Sequence, residues 1–147
     1  EIYSKLSQKK LSRKHRLIAL LSSARVRIAL GKDLVFAERS IGDAMKLSRQ
    51  PQMVLTMTDL HLARKKSALA EQTLRKGAEE FAKDIGIRLR LAELLLASKQ
   101  VEPSQVALLG AARLCRETKG VSAQRLRKLQ DLQVQLQKLR RATAAAR

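Results

Sequence analysis

PQMVLTMTDLHLARKKSALAEQTLRKGAEEFAKDIGIRLRLAELLLASKQVEPSQVALLGAARLCRETKG, residues Pro51 to Gly120, reads as one helical hairpin followed by a second of the same build. Within it Ala70, Leu74 and Gly77 stand four and three residues apart, which places them on one helix face, with Gly77 leaving room for a close neighbour. Thirty-four residues later come Ser104, Leu108 and Ala111, and thirty-three residues earlier Ala37, Ile41 and Ala44. The order small, large aliphatic, small therefore occurs three times at one spacing. The helix before each also matches in part: Leu21, Ala24 and Ile28; Val54, Met57 and His61; Leu91, Ala92 and Leu95.

A period near 34 with two helices per unit resembles the tetratricopeptide repeat, over roughly Lys14 to Lys119. The aromatic that this family carries late in its first helix is replaced here by Ile28, His61 and Leu95. The resemblance implies a solenoid of hairpins that holds a peptide or helix in a concave groove. A plain helical bundle also alternates small and large residues where helices cross. Both readings are all-α, a tetratricopeptide-like hairpin stack or an irregular bundle of about six helices.

Composition agrees with that class. The 147 residues suit one domain with a sizeable core. Aromatics make up 2% of the chain and Trp is absent, so the core is aliphatic. Six Gly and two Pro are too few for the turns of an all-β chain.

From the N-terminus, a first helix is expected over about Ile2 to Leu30, its basic half carrying Lys5, Lys9, Lys10, Arg13, Lys14 and Arg16. Lys5, Lys9, Arg13, Arg16 and Arg27 fall within about 80° as one cationic stripe. Asp33 is read as the N-cap of a second helix, its carboxylate bonding the free N–H groups of the first turn. A third helix starts at about Gln52; a turn at Lys65-Lys66-Ser67 competes with one long helix to Asp84. Gly86 is expected to separate this from the apolar stretch Ile87 to about Ser98, and Pro103 to open the next helix. Ser122 caps a last helix towards Ala142, in which Leu129, Leu132, Leu136 and Leu139 form a seam suited to capping a solenoid or contacting another protein. Arg127, Lys138 and Arg141 point away from that seam, and the Ala-rich tail is expected to fray. This divides the chain into a hairpin stack, 1–120, and a basic C-terminal helix, 121–147.

Lys and Arg number 31 against 13 Asp and Glu, a formal net charge of +18. Residues 1–32 hold nine basic and one acidic residue, 33–112 twelve and ten, and 113–147 ten and two. Such charge repels itself, so an anionic partner is expected: nucleic acid first, RNA above DNA, then an acidic membrane surface or acidic protein. Candidate phosphate contacts are Lys9, Lys10, Arg13, Lys14 and Arg16 at one end, and Arg125, Arg127, Lys128, Arg140 and Arg141 at the other. With no aromatic stacking platform, shape and backbone are read rather than bases.

The stretch from Glu117 to Leu126 is comparable with a helix-turn-helix of a DNA-binding regulator, although Arg116 and Lys119 stand where small and aliphatic residues are needed. His15 and His61 lack partners at ligand spacing, so no metal is expected, and His61 reads as a packed or hydrogen-bonded core residue. Glu79 and Glu80 are adjacent and cannot face each other as acid and base. No phosphate loop or nucleophile elbow is present, and neither enzymatic activity nor a cofactor is expected. Cys115 is the single cysteine, which fits a reducing intracellular compartment. No apolar run is long enough to span a bilayer. The first residue is Glu1 rather than Met, as expected of a chain processed at that end, an organelle presequence being one case.

Overall fold

A computed structural model describes residues 12–146. Among these residues there are seven helices and no strand: α1 (Arg13–Leu30), α2 (Leu34–Leu47), α3 (Pro51–Ala63), α4 (Ser67–Glu80), α5 (Ile85–Ala97), α6 (Val101–Glu117) and α7 (Ala123–Ala145). The count is seven because 52–84 divides into two helices.

That division is made without Gly or Pro. Lys65 turns left-handed (φ 58°). Its N–H bonds the Leu62 carbonyl at 2.9 Å, and the Lys66 N–H reaches back to the His61 carbonyl at 2.8 Å. This pair of bonds is a Schellman C-cap. The same turn closes α5, where Lys99 (φ 57°) bonds Leu96 at 2.9 Å and Gln100 bonds Leu95 at 2.9 Å. It also closes α1, where Gly31 (φ 64°) bonds Ile28 and Lys32 bonds Arg27, both at 3.1 Å. The left-handed residues Gly31, Lys65 and Lys99 are thirty-four residues apart.

One residue separates the first turn from the others. Asp33 is inserted before α2 in a second left-handed conformation (φ 51°), and its carboxylate makes no cap bond. The expected carboxylate cap is therefore corrected: Asp33 contributes its carbonyl, which accepts from Ala37 N at 3.0 Å as Lys66 and Gln100 do for Ala70 and Ser104. The insertion explains why the second helices repeat at thirty-three and then thirty-four residues.

The link between α2 and α3 is extended. Ser48 and Gln50 have β geometry before Pro51, whose missing N–H does no harm at the first helical position. Asp84, rather than Gly86, separates α4 from α5: its carboxylate accepts the Ile87 N–H at 2.8 Å, and Gly86 lies inside the helix. The segment from Val101 to Pro103 is the first turn of α6. Ser122 caps α7 by accepting the Arg125 N–H at 3.3 Å, and the helix continues through the alanines to Ala145 rather than fraying at Ala142.

Contacts group the chain into two compact units, Glu1–Ala70 and Glu71–Arg147, the division falling within α4. In the first unit α1, α2 and α3 pack on one another. Leu17, Leu21, Ala44 and Met53 form one core cluster, and Ala24, Ala37, Ile41 and Leu60 the next. The small alanines let the helices approach and the aliphatic residues fill between them, each fully buried Leu or Ile contributing about 1.5–3 kcal/mol. In the second unit α5, α6 and α7 pack mutually. Here α5 is buried on most of its circumference through Ile85, Ile87, Leu89, Leu91, Ala92, Leu95 and Leu96. The repeated trio is buried in all three places: Ala37, Ile41 and Ala44; Ala70, Leu74 and Gly77; Ser104, Leu108 and Ala111.

Candidate functional site

The cations nominated from the sequence separate into those that the fold engages and those that it leaves to solvent. Lys9 and Lys10, with Lys5, lie outside the described residues. Of the helix expected from Ile2, the part before Ser12 also lies outside the described residues; Ser12 is extended (φ −56°, ψ 151°) and caps α1 by accepting the His15 N–H at 3.3 Å.

Arg13 turns its guanidinium onto the C-terminus of α2, where Nε donates to the Leu47 carbonyl at 2.8 Å and Nη2 donates to the same oxygen. A cation there satisfies an orphan carbonyl and complements the helix dipole. Arg27, expected in the same stripe, lies over the Phe36 ring at 4.1 Å and donates through Nη1 to Ser23. Two members of the stripe thus serve the fold. Lys14 and Arg16 are exposed and make no ion pair among the described residues, and Arg16 borders a hollow of about 420 Å³ with Leu20, Asp43, Lys46 and Leu47.

On α7 the five candidates do not share a face. Lys128 Nζ meets Glu93 Oε1 of α5 at 2.5 Å, and Arg90 Nη1 meets Glu93 Oε2 at 2.7 Å. Burial pushes the Glu93 carboxyl up, but the hydrogen bonds from Lys128 and Arg90, with their charges, outweigh it and leave its pKa lowered. Arg140 Nη2 donates to Gln105 Oε1 of α6. Arg125 is exposed and carries its guanidinium past Gly86. Arg127 and Arg141 sit with Lys138 within about 60° of one another on the outward face, all three exposed.

The leucine seam is turned inward. Leu129, Leu132 and Leu136 are buried where α7 packs on α5 and α6, and Leu139 is half-buried. Its apolar surface closes the second unit.

Several arrangements had no signal in the sequence. Arg64 Nη2 meets Glu38 at 2.8 Å and the Leu34 carbonyl at 3.2 Å. The Arg64 hydrogen bond, ahead of burial in the opposite direction, lowers the Glu38 pKa. His61 is half-buried and its Nδ1 has no hydrogen-bond partner, so it is packed but unsatisfied at that atom. Burial lowers its pKa, the Glu38 charge opposes this, and Arg64 and Lys66 add to it. The closing turns correct the alignment with Ile28: the carbonyls bonded there are those of Arg27, His61 and Leu95, so Arg27 occupies the equivalent place one unit earlier, and its Nε is likewise buried and unpaired.

Among the described residues no three His, Cys, Asp or Glu side chains are grouped to hold a metal ion, and no helix is long and apolar enough to cross a membrane. Cys115 is free and half-buried. Compared with known protein families, curated proteins and solved structures, the chain matches none.

Proposed function

We propose that the protein is a non-catalytic helical component of a nucleic-acid-containing assembly, holding the RNA backbone through exposed Lys and Arg side chains. The observation that carries this reading is the charge. Pairing each of the 13 acidic residues with one cation still leaves eighteen of the 31 uncompensated, so the protein cannot neutralise itself. A polyanion does so most effectively, because each phosphate contact also releases condensed counterions.

The outward face of α7, Arg127, Lys138 and Arg141, together with Lys14 and Arg16 of α1, supplies contacts that no ion-pair partner among the described residues competes for. Lys128 and Arg140 contribute less, since a phosphate must displace Glu93 or Gln105. The single cysteine suits a reducing intracellular compartment.

The test is a titration of the protein with structured RNA, with duplex DNA and with no nucleic acid, at two salt concentrations. Affinity for RNA should fall steeply with salt. Binding that is absent or indifferent to salt removes the proposal, and tighter, sequence-selective binding to DNA favours a DNA-binding regulator instead.

One observation favours a second reading. Three identical Schellman turns at thirty-four-residue intervals support a tetratricopeptide-like arrangement, and with it an adaptor that holds a protein segment. In that case neutralising Arg127, Lys138 and Arg141 leaves partner binding intact.

A further inference from the structure

Two residues break a local backbone preference at the same point of the fold. Lys65 (φ 58°) and Lys99 (φ 57°) are left-handed, at the position that Gly31 (φ 64°) takes in the first turn. That conformation crowds Cβ against the following carbonyl oxygen, which glycine avoids. The turn backbone by itself favours glycine, and the first turn has it.

The lysine side chains do nothing visible for the turns. Both residues are exposed, and neither makes an ion pair or side-chain hydrogen bond among the described residues. Attraction to the helix dipole does not account for them, since a lysine anywhere in the last turn meets it without the strain. What the position offers is projection: the side chain leaves the turn beyond the last helical residue.

The surroundings add charge. Exposed Lys66 follows Lys65, and exposed Lys32 follows Gly31, so each of the three turns carries a lysine. At the third, Lys99 borders a groove of about 500 Å³ with Glu102, Arg140 and Thr143.

We infer that Lys65 and Lys99 are phosphate contacts, each presenting its ammonium group from an interhelical turn to the phosphodiester backbone of an RNA. The inference rests on the RNA reading proposed above and adds contacts outside the two basic end helices. It explains why a cation stands where the backbone prefers glycine.

The experiment compares the full chain with K65G/K99G, K65R/K99R and R127Q/R141Q. Binding to a mixed-sequence RNA hairpin is read by fluorescence anisotropy across a salt series, and Tm by circular dichroism. K65G/K99G should melt higher, by about 2–4 °C per site. It should nevertheless bind about tenfold more weakly, with the slope of log Kd against log salt reduced by about two. K65R/K99R should bind as the parent does.

If K65G/K99G keeps the parent's affinity and slope while R127Q/R141Q is weakened, the turn lysines are not contacts and the RNA reading stands. A Tm that fails to rise removes the ground of the inference, because the backbone then has no preference for glycine. If the parent shows no salt-dependent RNA binding, both readings fall.

Discussion

Replacing His61 with leucine should stabilise the protein and flatten its response to mild acid. His61 supplies the carbonyl that closes the α3–α4 turn, the place taken by Leu95, 1% exposed, in the α5–α6 turn. Its Nδ1 is buried without a partner. Such an atom costs about 1–3 kcal/mol, while leucine fills a similar volume and has better helix propensity. Allowing for imperfect repacking, the gain should be about 1 kcal/mol, or about 2–4 °C in Tm.

The pH dependence follows from the same burial. The folded imidazole has a pKa below its ordinary 6.5, so the folded protein binds that proton less readily than the unfolded chain. Stability from this group is complete above 6.5 and is lost as pH falls through the lowered value. Thermal unfolding followed by circular dichroism at about pH 7.5 and about pH 5.5 measures both effects. The parent should lose Tm between the two, and His61→Leu should lose less. A variant less stable at the higher pH, or one with an undiminished drop, refutes the reasoning.

Leu132→Ala, at a site 1% exposed, should cost about 2–5 kcal/mol and lower the urea midpoint by freeing α7 from α5 and α6. Gly31→Ala forces a Cβ into a left-handed turn (φ 64°) and should cost about 1 kcal/mol in thermal unfolding. Asp84→Ala removes the 2.8 Å cap on Ile87 and should cost about 1 kcal/mol by urea titration. Because the Glu93 pKa is lowered from 4.5, its contribution is present above that value and lost as pH falls through the folded one. Glu93→Gln should therefore lose less Tm on acidification below about 4.5 than the parent does.

The helices were legible because aliphatic residues recur at helical steps and because Ser122, Pro51 and Pro103 mark helix starts. The turn after α3 was ambiguous because its left-handed residue is Lys65, a type that gives no warning of that conformation. Asp33 misled for a related reason: a carboxylate before a helix signals a cap, yet the backbone had already turned left-handed and aimed it elsewhere. For the candidate site, the excess of cations was visible but their engagement was not. Arg13 finds its acceptor thirty-four residues away, and Lys128 and Arg140 find theirs at thirty-five, distances at which one-dimensional spacing carries no information. Likewise, the leucines of α7 announced an apolar face without saying that α5 and α6 would cover it.

Closure of the second unit by Leu129, Leu132 and Leu136 sets an order of events during biosynthesis. Both core clusters of the first unit are complete by Leu60 and can settle while later segments are still being translated. The aliphatic helix α5 emerges after α4, and its cover is incomplete until both α6 and α7 have left the exit tunnel. In that interval the apolar side chains of α5 that α7 will cover stand open to solvent, the condition that makes a partly folded chain prone to association.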